Sequence, residues 1–78
     1  MNTENLHIDE PLLIHVSQGN EEAFTKLFYK YSRLLYRFLY DHTDSAAIAD
    51  DMVQDIFTRI WIARESLADV KKFRSFLF

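Results

Sequence analysis

Cysteine is absent from this 78-residue chain, which excludes a disulfide, a thiolate metal site and a cysteine nucleophile. Glycine and proline occur once each. That scarcity removes the turn punctuation on which a β-sandwich or barrel depends. No uninterrupted apolar run exceeds the four residues of 60–63, against the roughly 20 that a membrane-spanning helix needs. Lysine and arginine are missing from the first 22 positions, which hold five acids, so the basic leader of a secretory signal peptide is not seen. The expectation left by these absences is a cytoplasmic helical domain without membrane insertion.

Bulky apolar material is plentiful. The hydrophobic fraction is 49%, with seven Phe, four Tyr and one Trp. A chain this short sits near the lower end of what folds unaided, so buried aromatic area is the expected source of stability. The net charge of −3 hides an alternation, with residues 1–22 carrying −5, 23–43 +3, 44–65 −3 and 66–78 +2. A uniformly basic nucleic-acid binder looks different. Alternating blocks suit either helices that pair their charges or a protein with separate acidic and basic partner surfaces.

Periodicity predicts an all-α chain, a small helical bundle of three helices plus the start of a fourth. Residues 1–9 lack pattern and read as a flexible leader, and residues 10–78 as one domain. Pro11 behind Asp9 and Glu10 suggests the first helical position after an acidic cap. The short helix it opens carries Leu12, Leu13 and Val16 and should stop at Gly19, the one residue free to turn left-handed. Asn20 is placed to cap a second helix that runs to about Asp41. Its expected core stripe is Phe24, Leu27, Phe28, Tyr31, Leu34, Leu35, Phe38 and Leu39. A polar turn at 42–45 precedes a third helix over 46–64, with Ala49, Val53, Ile56, Phe57, Ile60 and Ala63 on its core side. Residues 65–69 read as a loop, with Asp69 as cap of a fourth helix containing Val70, Phe73, Phe76 and Leu77. The chain stops inside that apolar pattern, which suggests a piece of a longer protein.

Two surfaces carry patterned chemistry. On the far side of the third helix, Asp51, Asp55, Thr58 and Ile62 align at helical spacing, flanked by Gln54 and Trp61. Carboxylates four residues apart repel each other by a few tenths of a kcal/mol (about 0.2–0.5) on an isolated helix. Such a row suits a basic partner helix, acids steering it and apolar groups holding it. Equally, acids near a helix start and polar outward faces are ordinary. On the second helix, Lys26, Tyr29, Lys30, Arg33, Tyr36, Arg37 and Tyr40 interleave cations with aromatics opposite the core stripe. That pattern suits phosphate contacts with base stacking, or tyrosines packed under a neighbour while the cations snorkel. Lys71, Lys72 and Arg74 around Phe73 form a smaller basic cluster.

Enzyme chemistry finds little support. His7, His15 and His42 have no helical partner at metal-ligand spacing, and nothing completes a cation site around Asp50, Asp51 and Asp55. One glycine cannot make a phosphate-binding glycine loop. No catalytic residue, metal or cofactor is expected.

The order of the pieces resembles region 2 of ECF-type RNA polymerase sigma factors. Residues 23–24, 27–28, 31 and 35–36 (Ala-Phe, Leu-Phe, Tyr, Leu-Tyr) are similar to that family's first conserved helix. Residues 49–57, ADDMVQDIF, with Arg59 and Trp61, are similar to its second, the most recognisable stretch. Phe73, Phe76 and Leu77 resemble the start of the next family helix. The likeness covers roughly residues 10–78, and its style is that of members common in Bacteroidetes. It implies a helical domain that docks on the clamp helices of the polymerase β′ subunit and captures the non-template strand of the promoter minus-ten element. By this resemblance Asp51, Gln54, Asp55, Thr58 and Trp61 would bind the polymerase. The 65–72 loop would capture bases, and Lys71, Lys72, Phe73 and Arg74 would contact DNA. An anti-sigma factor is a further implied partner. The family's Ala-x-Asn run and its second domain have no counterpart in these 78 residues. A helical protein-interaction module with no DNA role is the rival reading.

Overall fold

The computed structural model describes residues 9–78. Four α-helices and one 3-10 segment make up this part of the chain, with no strand among the described residues: α1 (Glu10–Ser17), α2 (Glu21–Thr43), α3 (Ala46–Ile62), a 3-10 turn (Arg64–Asp69) and α4 (Phe73–Leu77). The leader expected over 1–9 and His7 lie outside the described residues, Asp9 excepted.

Local sequence explains most boundaries. Gly19 adopts φ +88°, and the amides of Gly19 and Asn20 donate to the carbonyls of Val16 and His15 (2.9 and 3.1 Å). This pair of bonds satisfies the last carbonyls of α1 in the way a left-handed stop requires. The Asn20 side chain accepts from the Ala23 amide at 2.9 Å and starts α2, and Ser45 accepts from the Ile48 amide at 3.2 Å to start α3. Between them Asp44 takes a left-handed φ of 55° and closes α2 through Tyr40 (2.7 Å).

The core draws on every element. α1 buries Leu13 and Val16. α2 buries Ala23, Leu27, Tyr31, Leu35 and Leu39, α3 buries Ala49, Val53, Phe57 and Ile60, and Leu67 and Phe73 close the end. α2 and α3 pack against each other, and α1 lies across α2 and the 3-10 turn.

Several expectations need correction. Leu34 and Phe38, placed in the core stripe, are exposed. The buried positions of α2 recur every four residues and form a narrow line; Leu34 and Phe38 lie to one side of it, where Phe38 meets the ring of Phe78, the residue after α4 (centroids 5.2 Å). Ala63 is exposed, because α3 ends at Ile62 and the chain tightens into 3-10 geometry, shifting side-chain directions; Ile56 is half-buried, at the margin of the buried line Ala49, Val53, Phe57 and Ile60. The loop expected over 65–69 is that 3-10 turn, pinned by buried Leu67. Asp69 caps nothing; α4 begins behind Lys72 without a side-chain cap. Asp9 occupies the cap position of α1, but its side chain makes no cap bond, and Pro11 is the second helical residue rather than the first.

The Asp9 carboxylate points inward instead. It is 5% exposed, accepts from Lys30 Nζ at 2.5 Å and accepts a hydrogen bond from the Tyr31 hydroxyl. A buried carboxylate is tolerated only when its lone pairs are occupied, and here a cation and a hydroxyl occupy both oxygens. Burial, followed by the bond to Asp9 and its negative charge, raises the Tyr31 pKa well above the tyrosine range. Tyr31 in turn meets Phe73 edge-on at 5.0 Å, so one polar lock ties the start of α1 to α2 and α4.

Candidate functional site: an open groove between the long helices

Phe24 and Phe28 recur four residues apart on α2 and face α3. Phe28 meets Phe57 edge-on at 5.1 Å, and Phe24 lies 5.0 Å from Trp61. Phe24, Phe28 and Trp61 are half-buried, since no other described element covers them, whereas Phe57 is buried beneath them. The result is a groove of about 510 Å³ with an aromatic floor and a polar rim of Arg33, Asp50, Gln54 and Thr58. Arg64 lies over Trp61, its guanidinium 4.5 Å from the ring and donating to the Trp61 carbonyl at 3.0 Å. A stacked, hydrogen-bonded arginine holds the indole in place.

The five residues expected to face a polymerase divide into two sets. Gln54, Thr58 and Trp61 line the groove. Asp51 and Asp55 are exposed and do not line it; on helical geometry they form the shoulder next to it, in line with Ile62, which is 73% exposed. Asp55 is paired with Arg59 at 2.9 Å, one turn away. This is a solvated pair and leaves the carboxylate free to exchange partners. The groove can therefore take an apolar side chain on its floor while its amide and hydroxyl satisfy polar groups at the rim and the acids attract a cationic partner.

Sequence reasoning missed the other wall. Arg33 and Tyr36 were placed on the face opposite the core, yet both line the groove. Phe24 and Phe28, at the margin of the apolar stripe, were the available sign that this side of α2 is wide enough to face a second surface.

The four residues expected to contact DNA do not share one surface. Lys71, Lys72 and Arg74 are exposed at the start of α4. Phe73 is 1% exposed and packs among Tyr31, Phe57 and Phe76. It is a core residue and has no free face on which a base could stack; its expected DNA role is withdrawn. The reason is simple: α4 needs an inward anchor, and an aromatic flanked by cations is the one apolar group at its start.

Among the described residues no cluster of three or more His, Asp or Glu is placed to hold a metal ion, and no helix is long and apolar enough to cross a membrane.

Comparison with known proteins gives the groove a context. Residues 27–78 match the sigma-70 region 2 family, and the chain belongs to it. That stretch contains all of α3, the 3-10 turn and α4. Among curated proteins, the RNA polymerase sigma factor NccH of Alcaligenes xylosoxydans xylosoxydans is 32% identical over 71 residues, which is 91% of this chain. The chain spans 38% of that relative's length. No solved structure matches significantly.

Proposed function

We propose that this domain, residues 10–78, is the polymerase- and promoter-engaging part of an ECF-type sigma factor and acts by binding, with no chemistry of its own. The observation that carries the reading is the open α2–α3 groove, in which Gln54, Thr58 and Trp61 line an aromatic cleft beside the Asp51–Asp55 shoulder. The partner for that face is the pair of clamp helices of the polymerase β′ subunit. Their cationic side chains would be steered by Asp51 and Asp55, and an apolar side chain would enter over Trp61. At the opposite end, Lys71, Lys72 and Arg74 beside the 65–72 segment would hold the non-template strand of the minus-ten element through its phosphates. An anti-sigma factor is expected to compete for one of these surfaces.

The test is a binding titration of the intact chain with an isolated β′ clamp-helix fragment. Asp51→Ala with Gln54→Ala should weaken binding by about 2 kcal/mol or more if the contact is desolvated, with unchanged helicity. Equal binding by wild type and the double variant would remove the groove from the interface and favour a helical interaction module with another partner.

A further inference from the structure

Arg64, the first residue of the 3-10 turn, is a half-buried cation. Its guanidinium lies 4.5 Å from the Trp61 ring and donates to the Trp61 carbonyl at 3.0 Å. No carboxylate lies within salt-bridge distance of it among the described residues, so its charge is not cancelled locally. Gly19, the stop of α1, is its neighbour: a Cβ at that position would come to 3.8 Å from Arg64 Nε. Bonded on one side and bordered by the end of α1 on another, the guanidinium is held over the ring.

Without that arginine the groove would be a seat for a cation. Phe24, Phe28 and Trp61 offer aromatic faces, which attract ammonium and guanidinium groups, and the rim sets one acid, Asp50, against one base, Arg33. Arg64 tips the balance. It already occupies a face of the indole, and a second cation on the same ring would meet its charge well inside the roughly 8 Å over which salt screens.

We propose that Arg64 is a positioning and specificity residue of the groove: it fixes the plane of Trp61 and screens the indole from cations. A basic partner helix is thereby made to place an apolar side chain on the aromatic floor and its cations on the Asp51–Asp55 shoulder. This sorting of a partner's charges rests on the polymerase reading; the screening of the indole does not.

The experiment reads Trp61, the one tryptophan in the chain, in the intact protein and in Arg64→Met and Arg64→Lys variants, with far-UV circular dichroism checking that the helices persist. Quenching by iodide is compared with quenching by caesium at one fixed ionic strength. A cation over the ring draws iodide in and keeps caesium away, so the iodide-to-caesium ratio should fall about twofold in Arg64→Met. It should stay near wild type in Arg64→Lys, which keeps the charge and loses the flat stack. The near-UV dichroism of the indole should weaken in both variants, since neither holds the plane. A ratio unchanged in Arg64→Met overturns the screening, a Lys variant that falls with it assigns the effect to packing and overturns it too, and a full near-UV signal in both overturns the positioning. The sorting is read in a cycle with the β′ clamp-helix fragment. Asp51→Asn should weaken binding about tenfold in the wild type and only about threefold beside Arg64→Met, because the partner's cations then gain the indole as a second seat. An equal loss in both backgrounds overturns the sorting while the groove keeps its partner. If the wild type binds no clamp-helix fragment, the polymerase reading falls, and the quenching ratio still decides whether Arg64 guards the indole.

Discussion

Two aromatic clusters flank α2, built from similar residues and finished in opposite ways. On one side Tyr31 and Phe73 are sealed, because Asp9 and Lys30 supply the polar partners that let a tyrosine and a carboxylate be buried together. On the other, Phe24, Phe28 and Trp61 are left half-open, and no other element among the described residues covers them. Phe57 touches both sets, lying 5.1 Å from Phe28 and 6.5 Å from Phe73. The difference teaches that aromatic content by itself does not separate core from interface. A closed polar network marks the structural side, and a polar rim around unsealed rings marks the side available to a partner.

Removing the shared ring should have the largest effect. Phe57→Ala empties a site that both clusters use and should cost about 3–5 kcal/mol in urea denaturation. Phe24→Ala, on the open side, should cost distinctly less, since part of that ring is already solvated. Equal losses would erase the distinction between the two sides.

Next is the lock. Tyr31→Phe leaves the buried Asp9 carboxylate with Lys30 alone and should destabilise the fold by about 1–3 kcal/mol. The pH dependence gives a second readout. Because the folded pKa of Tyr31 is raised, the unfolded chain loses this proton first, from about pH 10, and stability should fall as pH rises above that point. The phenylalanine variant should lose this part of the alkaline slope. An identical slope in both proteins would show that Tyr31 is not held protonated by its surroundings.

The open side has its own reporter. Trp61 is the one tryptophan in the chain, so its emission can be followed directly. Filling the groove with a clamp-helix fragment should shift that emission and protect the indole from acrylamide quenching. Binding without any change at Trp61 would put the partner elsewhere.

The smallest expected effect is on the shoulder. Asp55→Asn breaks a solvated pair one helical turn apart and should change stability by no more than about 0.5 kcal/mol. Its consequence should appear in the association rate with a cationic partner and weaken with salt. A large stability loss would make Asp55 a structural residue.

Sequence-level reasoning located the helices, the stop at Gly19, the turn after α2 (with the helix expected to end near Asp41 and ending at Thr43), the caps at Asn20 and Ser45 within the expected turns, and the inward positions Ala49, Val53, Phe57 and Ile60 of α3. Each of these depends on groups within a few residues of one another, so local chemistry decides them. The family likeness in ADDMVQDIF belongs to the same category. It also singled out one wall of the groove through Gln54, Thr58 and Trp61.

Tertiary structure alone decided which apolar residues were covered and which charges were buried. Leu34 and Phe38 carry a perfectly helical period and are still exposed, because burial requires a neighbour and the described elements pack along the line through Leu27, Tyr31, Leu35 and Leu39 instead. Asp9 reads as a cap by position, yet it lies 21 and 22 residues from the Lys30 and Tyr31 that occupy it. Phe73 sits among cations in the chain but is enclosed by Tyr31 and Phe57 in space. Arg33 and Tyr36 join Gln54 across a groove that exists only once α2 and α3 have packed. Periodicity fixes a side chain's direction about its own helix axis; what stands opposite that direction is set by the packing of segments distant in the chain.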